Sequence, residues 1–367
     1  MNAVELLKKH TVLAVATLAA LVTCSIVVPD EKYLGYFDFK TLTCLFLTLA
    51  VVCALRNIKF FTILARKIVT FTGNLRMLSL SLIYITFIGS MLIANDMALI
   101  TFLPLGYFAL SVTKQEKYMA YIFILQNISA NLGGMLTPFG NPQNLYLYTA
   151  FEIPTGEFMK IMLPPFVLAV AILTVCCLIL PKKALAISEE FPEKLNVKRT
   201  ILYLALFALS IIIVFRVIPY WIGLVIIPIV LLFADRKALK DVDYPLLLTF
   251  VMFFIFAGNM ARIDAINNLL SFLLEKSTLL VSIFSCQFIS NVPSAILLSR
   301  FTDNYHDLLL GVNIGGTGTL IASLASLITY SEYKLLRPGD SKNYISLFTL
   351  LNLVFLAILT TAAYFLF

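Results

Sequence analysis

Apolar stretches of about twenty residues follow one another along most of the chain, separated by short polar breaks. A helix needs about 20 residues to cross roughly 30 Å of hydrocarbon at about 1.5 Å per residue. The sequence lacks the repeated two-residue alternation that a membrane β-barrel would require. Hydrophobic residues make up 60% of the chain and charged residues 13%, far from the usage of soluble domains. The sequence therefore predicts an all-α polytopic membrane protein.

The net charge of +7 comes from Lys and Arg spread through short connections, so we expect the lipid bilayer, and no nucleic acid, as a partner. With the crossings placed, seven basic residues fall on one side: Lys32, Lys40, Lys160, Arg216, Arg262, Lys276 and Arg300. The remaining 20 of the 27 fall on the other side. Because basic loops stay in the cytoplasm, we expect a multi-pass plasma (inner) membrane protein with a cytoplasmic amino terminus.

A polar, glycine-rich interruption of an apolar stretch occurs twice. Residues 131–148 read NLGGMLTPFGNPQNLYLY, and residues 313–330 read NIGGTGTLIASLASLITY, with Asn, two Gly, Thr, Leu and Tyr at matching positions. Glycine permits unusual backbone angles, and proline removes a helix hydrogen bond. The two copies predict broken transmembrane helices at residues 118–149 and 307–330.

Other segments recur in the same order. FDFKTLTCLFL near residue 38 resembles VDYPLLLTFVM near residue 243, and IANDMALI from residue 93 resembles ISNVPSAI from residue 289. An odd number of crossings separates the copies, which inverts the second relative to the first. The sequence thus predicts two inverted-topology repeats, residues 1–180 and 200–367, joined by a cytoplasmic linker at 181–199; such repeats recur in secondary transporters.

Residues 77–111 and 277–302 turn back at AND and SNVPS. The first is long enough for two full crossings around a short outer loop. In the second, only 14 residues separate Lys276 from Ser290, about 21 Å of helix, which is too short for a crossing. Because the two segments are copies of each other in the two repeats, both are predicted to be re-entrant hairpins. The first is predicted to enter the membrane from the cytoplasmic side and the second from the outer side. Irregular backbone at that depth persists only where protein or a wet cavity satisfies it.

Asp96 is the one acidic residue, of 20, that is predicted at hairpin depth. An acid inside the membrane is costly and is a functional candidate by default. Asp96 is therefore predicted to carry a proton or bind a cation, the alternative being a carboxylate that caps the turn. Asn95, Ser290 and Asn291 add neutral donors and acceptors, and we expect the two tips and two broken helices to meet near the midplane.

Further polar residues lie in the two interruptions, among them Gln143, and part of them must satisfy freed backbone groups. The residues predicted to bind substrate are Asn95, Asp96, Ser290, Asn291, Thr137, Asn141, Thr319 and Ser323.

These motifs, IANDMALITFLPL, ISNVPSAI and the two interruptions, closely resemble the Ion Transporter superfamily over about residues 38–366. That group includes divalent-anion/sodium symporters, citrate permeases, arsenite permeases and certain Na⁺/H⁺ antiporters. The resemblance implies re-entrant hairpins, broken helices and an elevator-like motion in a homodimer. It also implies that the tips and the unwound regions hold Na⁺. The residues predicted on this basis for cation or proton coupling are Asp96, Asn95, Asn131, Gly134, Asn291, Asn313 and Gly316.

The tips depart from the pattern of the symporters. Ala94 replaces the first tip Ser, and Asp96 and Val292 replace the Thr residues that contact carboxylates in that group. The Asn-Asp pair is more similar to the arsenite-permease variant. An acid beside the site would repel a dianion unless it is protonated or paired with a cation.

The sequence predicts an ion-coupled secondary transporter, driven by Na⁺ or H⁺, for a small anion or oxyanion such as citrate, a dicarboxylate or arsenite, working by alternating access. A Na⁺/H⁺ antiporter and a passive anion channel are the alternatives. An enzyme is not expected, because an intramembrane aspartyl protease needs two acids and a zinc protease needs HExxH. The six cysteines have no metal-ligand spacing, so Na⁺ as coupling ion is the one cofactor considered.

Overall fold

The computed structural model describes residues 11–185 and 195–366, and these form seventeen α-helices joined by short turns. The one extended pairing within them is a single bridge between Asn74 and Ala184. Nine helical segments in those ranges are long and apolar enough to cross a membrane, by length and composition. The prediction of an all-α polytopic membrane protein is confirmed. Residues 186–194 of the linker predicted at 181–199 lie outside the described residues, as do residues 1–10 and 367 of the predicted repeats.

The helices, in chain order, are α1 (Thr11–Ile26), α2 (Phe39–Asn57), α3 (Phe60–Thr70), α4 (Leu75–Ile93), α5 (Asn95–Val112), α6 (Met119–Gly133), α7 (Pro142–Ala150), α8 (Thr155–Leu178), α9 (Val197–Val214), α10 (Tyr220–Ala234), α11 (Arg236–Lys240), α12 (Tyr244–Ala261), α13 (Asp264–Ile289), α14 (Asn291–Leu298), α15 (Tyr305–Ile314), α16 (Leu324–Leu336) and α17 (Ser341–Phe365). Short 3₁₀ turns occupy Glu31–Tyr36, Glu116–Tyr118 and Gly134–Leu136.

Helices α2 and α12 begin within the recurring FDF and VDY sequences, and both begin with the same kind of cap. Asp38 Oδ1 accepts the backbone N–H of Thr41 at 3.0 Å. Asp243 Oδ1 accepts the backbone N–H of Leu246 at 3.0 Å. Each aspartate satisfies one of the N–H groups that the start of a helix leaves unpaired. The sequence similarity near residues 38 and 243 therefore corresponds to a shared cap at α2 and α12.

Two helical hairpins are interrupted at a single residue. Ala94 separates α4 from α5, and Ser290 separates α13 from α14. Both residues have positive φ, 63° at Ala94 and 73° at Ser290, a region that non-glycine residues seldom adopt. Within α13, Ser277 has non-helical angles, so the arm that reaches the second tip is much shorter than the whole helix.

Two further helices stop inside the bundle and resume after irregular backbone. The first interruption separates α6 from α7, and the second separates α15 from α16. Gly318, in the second interruption, has a φ of 121°, which a side-chain-bearing residue rarely tolerates. Pro142 starts α7, a position where its missing N–H costs no helix hydrogen bond.

The bases of the two hairpins lie at opposite ends of α8, which is 24 residues and about 36 Å long. Beside the first base, Arg76 Nε donates to the carbonyl of Leu180, just beyond the last residue of α8. Beside the second base, Tyr305 Oη donates to Glu157 Oε1 at 2.6 Å, in the first turn of α8. The residues beside the two hairpin bases are thereby bonded to opposite ends of α8.

Two of the seven basic residues that the sequence assigned to one side of the membrane, Arg262 and Arg300, lie at the end of the bundle near Glu157. Arg300 donates to the carbonyl of Tyr36 at 2.6 Å. Arg262 forms a two-point ion pair with Asp30, with distances of 2.9 and 2.7 Å. The Arg262 guanidinium holds the pKa of the Asp30 carboxyl below its usual range, by hydrogen bonding first and by its charge second.

Helix α6 lies at the centre of the bundle. Every residue from Ile122 to Gly133 is buried. A helix buried on all sides belongs to the interior of a large helical protein. It packs against both arms of the first hairpin, α4 and α5, and against α8, α16 and α17. The first interruption, at the end of α6, is thereby held in the core between the two halves of the chain.

Candidate functional site

A cavity of about 320 Å³ lies where the two hairpin tips come together. Asn95 and Asp96 of the first tip and Ser290 and Asn291 of the second tip line the same space. Gln143, in the first turn of α7, also lines it, and most of the remaining wall is apolar and comes from α1, α12 and α16. We call this space the tip cavity. It brings together the four tip residues that the sequence identified.

The two tip asparagines are oriented in the same way. Asn95 Oδ1 accepts the backbone N–H of Asp96 at 2.9 Å, and Asn291 Oδ1 accepts the backbone N–H of Val292 at 2.9 Å. Each carboxamide thus accepts an N–H group in the first turn of its own helix, α5 or α14. The amino ends of both helices face the tip cavity, and such ends favour negative charge through unpaired N–H groups and the helix dipole.

Asp96 is the one ionisable side chain among the described residues that line the tip cavity. Its Oδ1 atom is buried and has no hydrogen-bond partner among the residues that the structure describes. A buried carboxylate oxygen without a partner is costly unless a proton, a cation or another donor satisfies it. Its position in the first turn of α5 compensates part of its charge. The arrangement provides a place for a proton or a small cation at the tip.

The two interruptions share a pair of threonine contacts that hold the hairpins. Thr137 Oγ1 donates to the carbonyl of Met91 at 2.8 Å, and Thr319 Oγ1 donates to the carbonyl of Gln287 at 3.0 Å. Each acceptor lies three residues before its tip. Neither Thr137 nor Thr319 lines the tip cavity. In this structure both hydroxyls hold the hairpins to the interruptions.

Asn131 joins the first tip to the second interruption. Its Oδ1 accepts hydrogen bonds from Asn95 Nδ2 at 3.0 Å and from Ser323 Oγ at 2.8 Å. Its Nδ2 lies 3.5 Å from the carbonyl of Gly316. The Asn131 side chain is buried and lies behind the tip cavity, outside its lining.

Asn313, the counterpart of Asn131, sits in a similar network. Its Nδ2 donates to Asn144 Oδ1 at 2.6 Å and to the carbonyl of Leu309 at 2.8 Å. Asn141 Nδ2 lies 3.5 Å from Asn313 Oδ1 and donates to the carbonyl of Asn131 at 3.1 Å. Asn141, Asn313 and Ser323, like Asn131, therefore form a buried layer that connects the two interruptions and supports the tips.

Gly134 and Gly316 lie where the backbone approaches asparagine side chains. A Cβ atom on Gly134 would lie 2.3 Å from Asn141 Oδ1, and one on Gly316 would lie 3.0 Å from Asn291 Nδ2. The first distance is a severe clash and the second a tight contact. Both glycines are outside the lining of the tip cavity, and they allow the asparagine layer to pack.

Gln143 is a cavity residue that was not included in the predicted substrate-binding set. Its side chain is buried, and Oε1 has no hydrogen-bond partner in the described part of the chain. The sequence did contain a signal for Gln143, its position directly after Pro142. Residues in the first turn of a helix that follows an interruption lie next to the unwound backbone. Polarity alone did not separate it from Asn144, whose Nδ2 donates to the carbonyls of Gly134 and Met135.

Comparisons with known proteins agree with a transporter. The family model described as "Citrate transporter" matches residues 4–305, a range that includes both hairpin tips and the first interruption. The uncharacterized transporter MJ0456 of Methanocaldococcus jannaschii is 33% identical over 318 residues, which cover 84% of this chain and 85% of that protein. The inner membrane protein YbiR of Escherichia coli is 31% identical over 284 residues, which cover 73% of each.

Proposed function

This chain belongs to the citrate transporter family, and we propose that it is a secondary active transporter, coupled to Na⁺ or H⁺, that moves a small anion or oxyanion by alternating access. The observation that carries the proposal is the tip cavity, in which Asn95, Asp96 and Asn291 meet although the bases of their hairpins lie beside opposite ends of α8. A site reached from both ends through matched elements is what alternating access requires.

We also propose that the two halves are inverted repeats and that both hairpins are re-entrant. The similar positive φ at Ala94 and Ser290 supports this, as do the paired threonine bonds of Thr137 and Thr319. The hairpin bases at opposite ends of α8 agree with one hairpin entering from each side. By the resemblance to the Ion Transporter superfamily, the motion is elevator-like and takes place in a homodimer.

Coupling follows from the charge of Asp96. An anion entering the tip cavity meets this carboxylate, and no Lys or Arg is among the described residues that line the space. A proton or Na⁺ bound at Asp96 removes the repulsion, so anion and cation bind together. Asn95 and Asn291 contribute their carboxamides, and the layer of Asn131 and Asn313 fixes the geometry.

The size and polarity of the tip cavity limit the substrate. Its volume of about 320 Å³ is at the lower end of the range for small-molecule sites. The groups available to bind the substrate are the side-chain amides of Asn95, Asn291 and Gln143, the hydroxyl of Ser290 and the amino ends of two helices. These groups suit a small carboxylate or an oxyacid such as arsenite. A fully ionised citrate would need several cations to enter the same space.

Flux through proteoliposomes tests the role of Asp96. Uptake driven by a Na⁺ or pH gradient is measured for wild type, Asp96→Asn and Asp264→Asn, the last an exposed carboxylate at the start of α13. We expect Asp96→Asn to lose gradient-driven accumulation and Asp264→Asn to keep it. Coupled accumulation that persists in Asp96→Asn would refute the assigned role. A passive channel would show no accumulation against a gradient even in wild type.

A Na⁺/H⁺ antiporter is the second candidate. It is favoured by one observation: within the described ranges, Asp96 Oδ1 has no hydrogen-bond partner, and the lining of its cavity has no cationic side chain. An antiporter would exchange Na⁺ for H⁺ with no anion present. Cation-dependent proton flux in anion-free liposomes, lost in Asp96→Asn, would select this alternative.

We place the protein in the plasma membrane with a cytoplasmic amino terminus. The bias of 20 of 27 basic residues toward one side supports this, and the relative from E. coli is named an inner membrane protein. A fluorescent protein that folds only in the cytoplasm, fused to the amino terminus, should be bright. A dark fusion with normal expression would reverse the orientation.

A further inference from the structure

A polar cavity of about 390 Å³ lies at the end of the bundle where α8 begins, and it shares no lining residue with the tip cavity. Four of the ten residues described as its lining are charged: Asp38, Lys40, Glu152 and Arg300. Because charged side chains avoid hydrocarbon, we expect its mouth to face water. We call it the Arg300 cavity.

Arg300 lies just beyond the end of α14, and its side chain is half-buried. Its Nη2 donates to the carbonyl of Tyr36 at 2.6 Å, and its Nε is buried without a hydrogen-bond partner among the described residues. None of the ion pairs formed within the described ranges involves Arg300. The acceptor that the fold gives this guanidinium is thus a neutral carbonyl. A half-buried cation without a counterion favours an anion beside it.

A second cation and a hydroxyl add donors to the same wall. Lys40 lies in the first turn of α2, where the helix N–H groups also favour negative charge. It is half-buried and, like Arg300, takes part in no ion pair with a described residue. Thr149, in the last turn of α7, contributes its hydroxyl. A guanidinium fork, an ammonium and a hydroxyl are donors that match carboxylate and phosphate oxygens.

The two carboxylates of the cavity are placed differently. Asp38 Oδ1 accepts the backbone N–H of Thr41 at 3.0 Å, and its Oδ2 accepts the Thr41 hydroxyl at 2.5 Å, so this carboxylate caps α2. Glu152 is exposed and forms no ion pair with a described residue. Water and salt screen an exposed charge more than a half-buried one. The half-buried cations therefore outweigh Glu152, which remains an opposing charge.

Two helices run from the tip cavity to the Arg300 cavity. Gln143 of α7 lines the first and Thr149 of the same helix lines the second, six residues and about 9 Å apart. Asn291 begins α14 at the tip cavity, and Arg300 lies beyond the other end of that helix. The helices α7 and α14 pack against each other. The seam between them thus joins the two cavities.

Tyr146 of α7 closes this seam. Its side chain is buried, its Oη lies 2.8 Å from Ser299 Oγ at the end of α14, and its ring packs against Phe254 of α12, with 5.6 Å between ring centroids. A ligand in the Arg300 cavity is therefore held apart from the tip cavity in this structure.

We propose that the Arg300 cavity binds a small carboxylate or inorganic oxyanion between Lys40 and Arg300, with the Thr149 hydroxyl as a further donor. Its position on α7 and α14 makes it the site that such an anion occupies before it reaches the tip cavity. That second statement rests on the proposed function, whereas the binding itself does not.

Protection of an introduced cysteine tests the binding. Ala150→Cys places a thiol at an exposed position of the cavity wall, and none of the six native cysteines lines the cavity. The purified full-length protein in neutral detergent reacts with a neutral, water-soluble maleimide while citrate or inorganic phosphate replaces chloride at constant ionic strength. We expect a saturable fall in the labelling rate with at least one of them. A response to citrate alone identifies a carboxylate site, and a response to phosphate alone identifies an inorganic oxyanion site; either supports the proposal.

The control cysteine is Gly156→Cys, at an exposed position in α8 with no atom within 4 Å of the added group. It lies outside the cavity, so its labelling rate should not depend on the anion. The rate measured for wild type, which carries only the native cysteines, is subtracted from both.

Charge variants in the Ala150→Cys background locate the response. Lys40→Gln and Arg300→Gln should each weaken the apparent affinity about tenfold, since each removes a charged donor. Glu152→Gln should strengthen it about two- to fivefold by removing an exposed like charge. Lys32→Gln, an exposed neighbour outside the cavity, should leave it unchanged. Lys40 is in no ion pair with a described residue, so its variant tests the site however well Arg300→Gln folds.

A thiol at position 150 that does not react without anion would show that the cavity is closed to water and would overturn the proposal. Equal protection in wild-type and Lys40→Gln backgrounds, or no protection by either anion, would also overturn it. Protection is measured without transport, so a failure of the proposed function leaves this result standing, and the reverse also holds.

Discussion

Ala94 and Ser290 adopt nearly the same backbone conformation, with φ and ψ of 63° and 151° at Ala94 and of 73° and 160° at Ser290. This region is essentially restricted to glycine, and a residue with a side chain there costs on the order of 1–3 kcal/mol. Both tips hold that conformation at the wall of the tip cavity. The strain at these two residues is stored where the two hairpins meet.

Replacing Ala94 with glycine should therefore stabilise the protein. The strain at positive φ is relieved, and after the extra flexibility of glycine in the unfolded chain is counted, we expect a gain of up to about 1 kcal/mol. The matched change Ala98→Gly, inside α5, should destabilise by about 1 kcal/mol or more because the residue is helical and fully buried. Thermal unfolding in detergent measures both. Destabilisation of similar size at the two positions would show that Ala94 is not strained.

Gly134→Ala should disrupt the asparagine layer. The new Cβ would lie 2.3 Å from Asn141 Oδ1 and 2.7 Å from the carbonyl of Gly140, and a backbone carbonyl cannot move aside cheaply. We expect a loss of about 1–3 kcal/mol in stability together with loss of transport. Gly156→Ala in the first turn of α8, where no atom lies within 4 Å of the added group, is the matched control and should be neutral. Equal behaviour of the two variants would contradict the close packing at Gly134.

Asn131→Ala should uncouple the first tip from the second interruption. It leaves Asn95 Nδ2 and Ser323 Oγ without their shared acceptor in the core, which costs about 1–3 kcal/mol. Hydrogen exchange should rise at both tips, because Asn95 at the first tip loses its acceptor, and Asn291 at the second tip is held by the carbonyl of Ala322, next to Ser323. Asn268→Ala, an exposed residue of α13, should change stability by no more than about 0.5 kcal/mol. Unaltered exchange at the tips of Asn131→Ala would separate the asparagine layer from the site.

The class of fold could be predicted because membrane helices follow from length and hydropathy alone. The places where helices stop could be located because Gly133, Gly134 and Pro142 act locally on the backbone. By contrast, the kink at Ser277 inside α13 has no such residue, and the predicted segment 277–302 omits the helix that runs from Asp264 to it. That bend depends on packing between helices, which the local sequence does not encode.

Individual site residues were harder to assign than the site as a whole. Thr137, Thr319 and Gln143 are all polar residues of the interruptions, so a sequence gives them equal standing. Both threonine hydroxyls donate to backbone carbonyls, whereas Gln143 lines the tip cavity and its Oε1 has no hydrogen-bond partner among the described residues. Three-dimensional contacts decide whether a polar side chain bonds to backbone groups or is available to a ligand. The roles in substrate binding and coupling stay predictions.

The ion pair of Asp30 with Arg262 predicts a pH dependence of stability. The folded-state pKa of Asp30 is lowered by Arg262, so the pair stabilises the fold above the ordinary aspartate pKa of about 3.9. That contribution is lost as the pH falls through the lowered folded value. Asp30→Asn should remove this part of the acid sensitivity, and Asp264→Asn should not. Identical acid unfolding curves for wild type and Asp30→Asn would mean that the pair contributes nothing measurable.

The most direct test of the tip cavity is a thermal-shift screen of citrate, succinate, sulfate, phosphate and arsenite, each with and without Na⁺ and at two pH values. Binding to the folded state raises the unfolding temperature in proportion to RT ln(1 + [L]/Kd). We predict that at least one compound stabilises wild type, more strongly with Na⁺ or at lower pH, and that Asn95→Ala and Asn291→Ala each abolish the shift while Asn268→Ala preserves it. A shift that survives the loss of either tip asparagine would contradict a single site built from both hairpins.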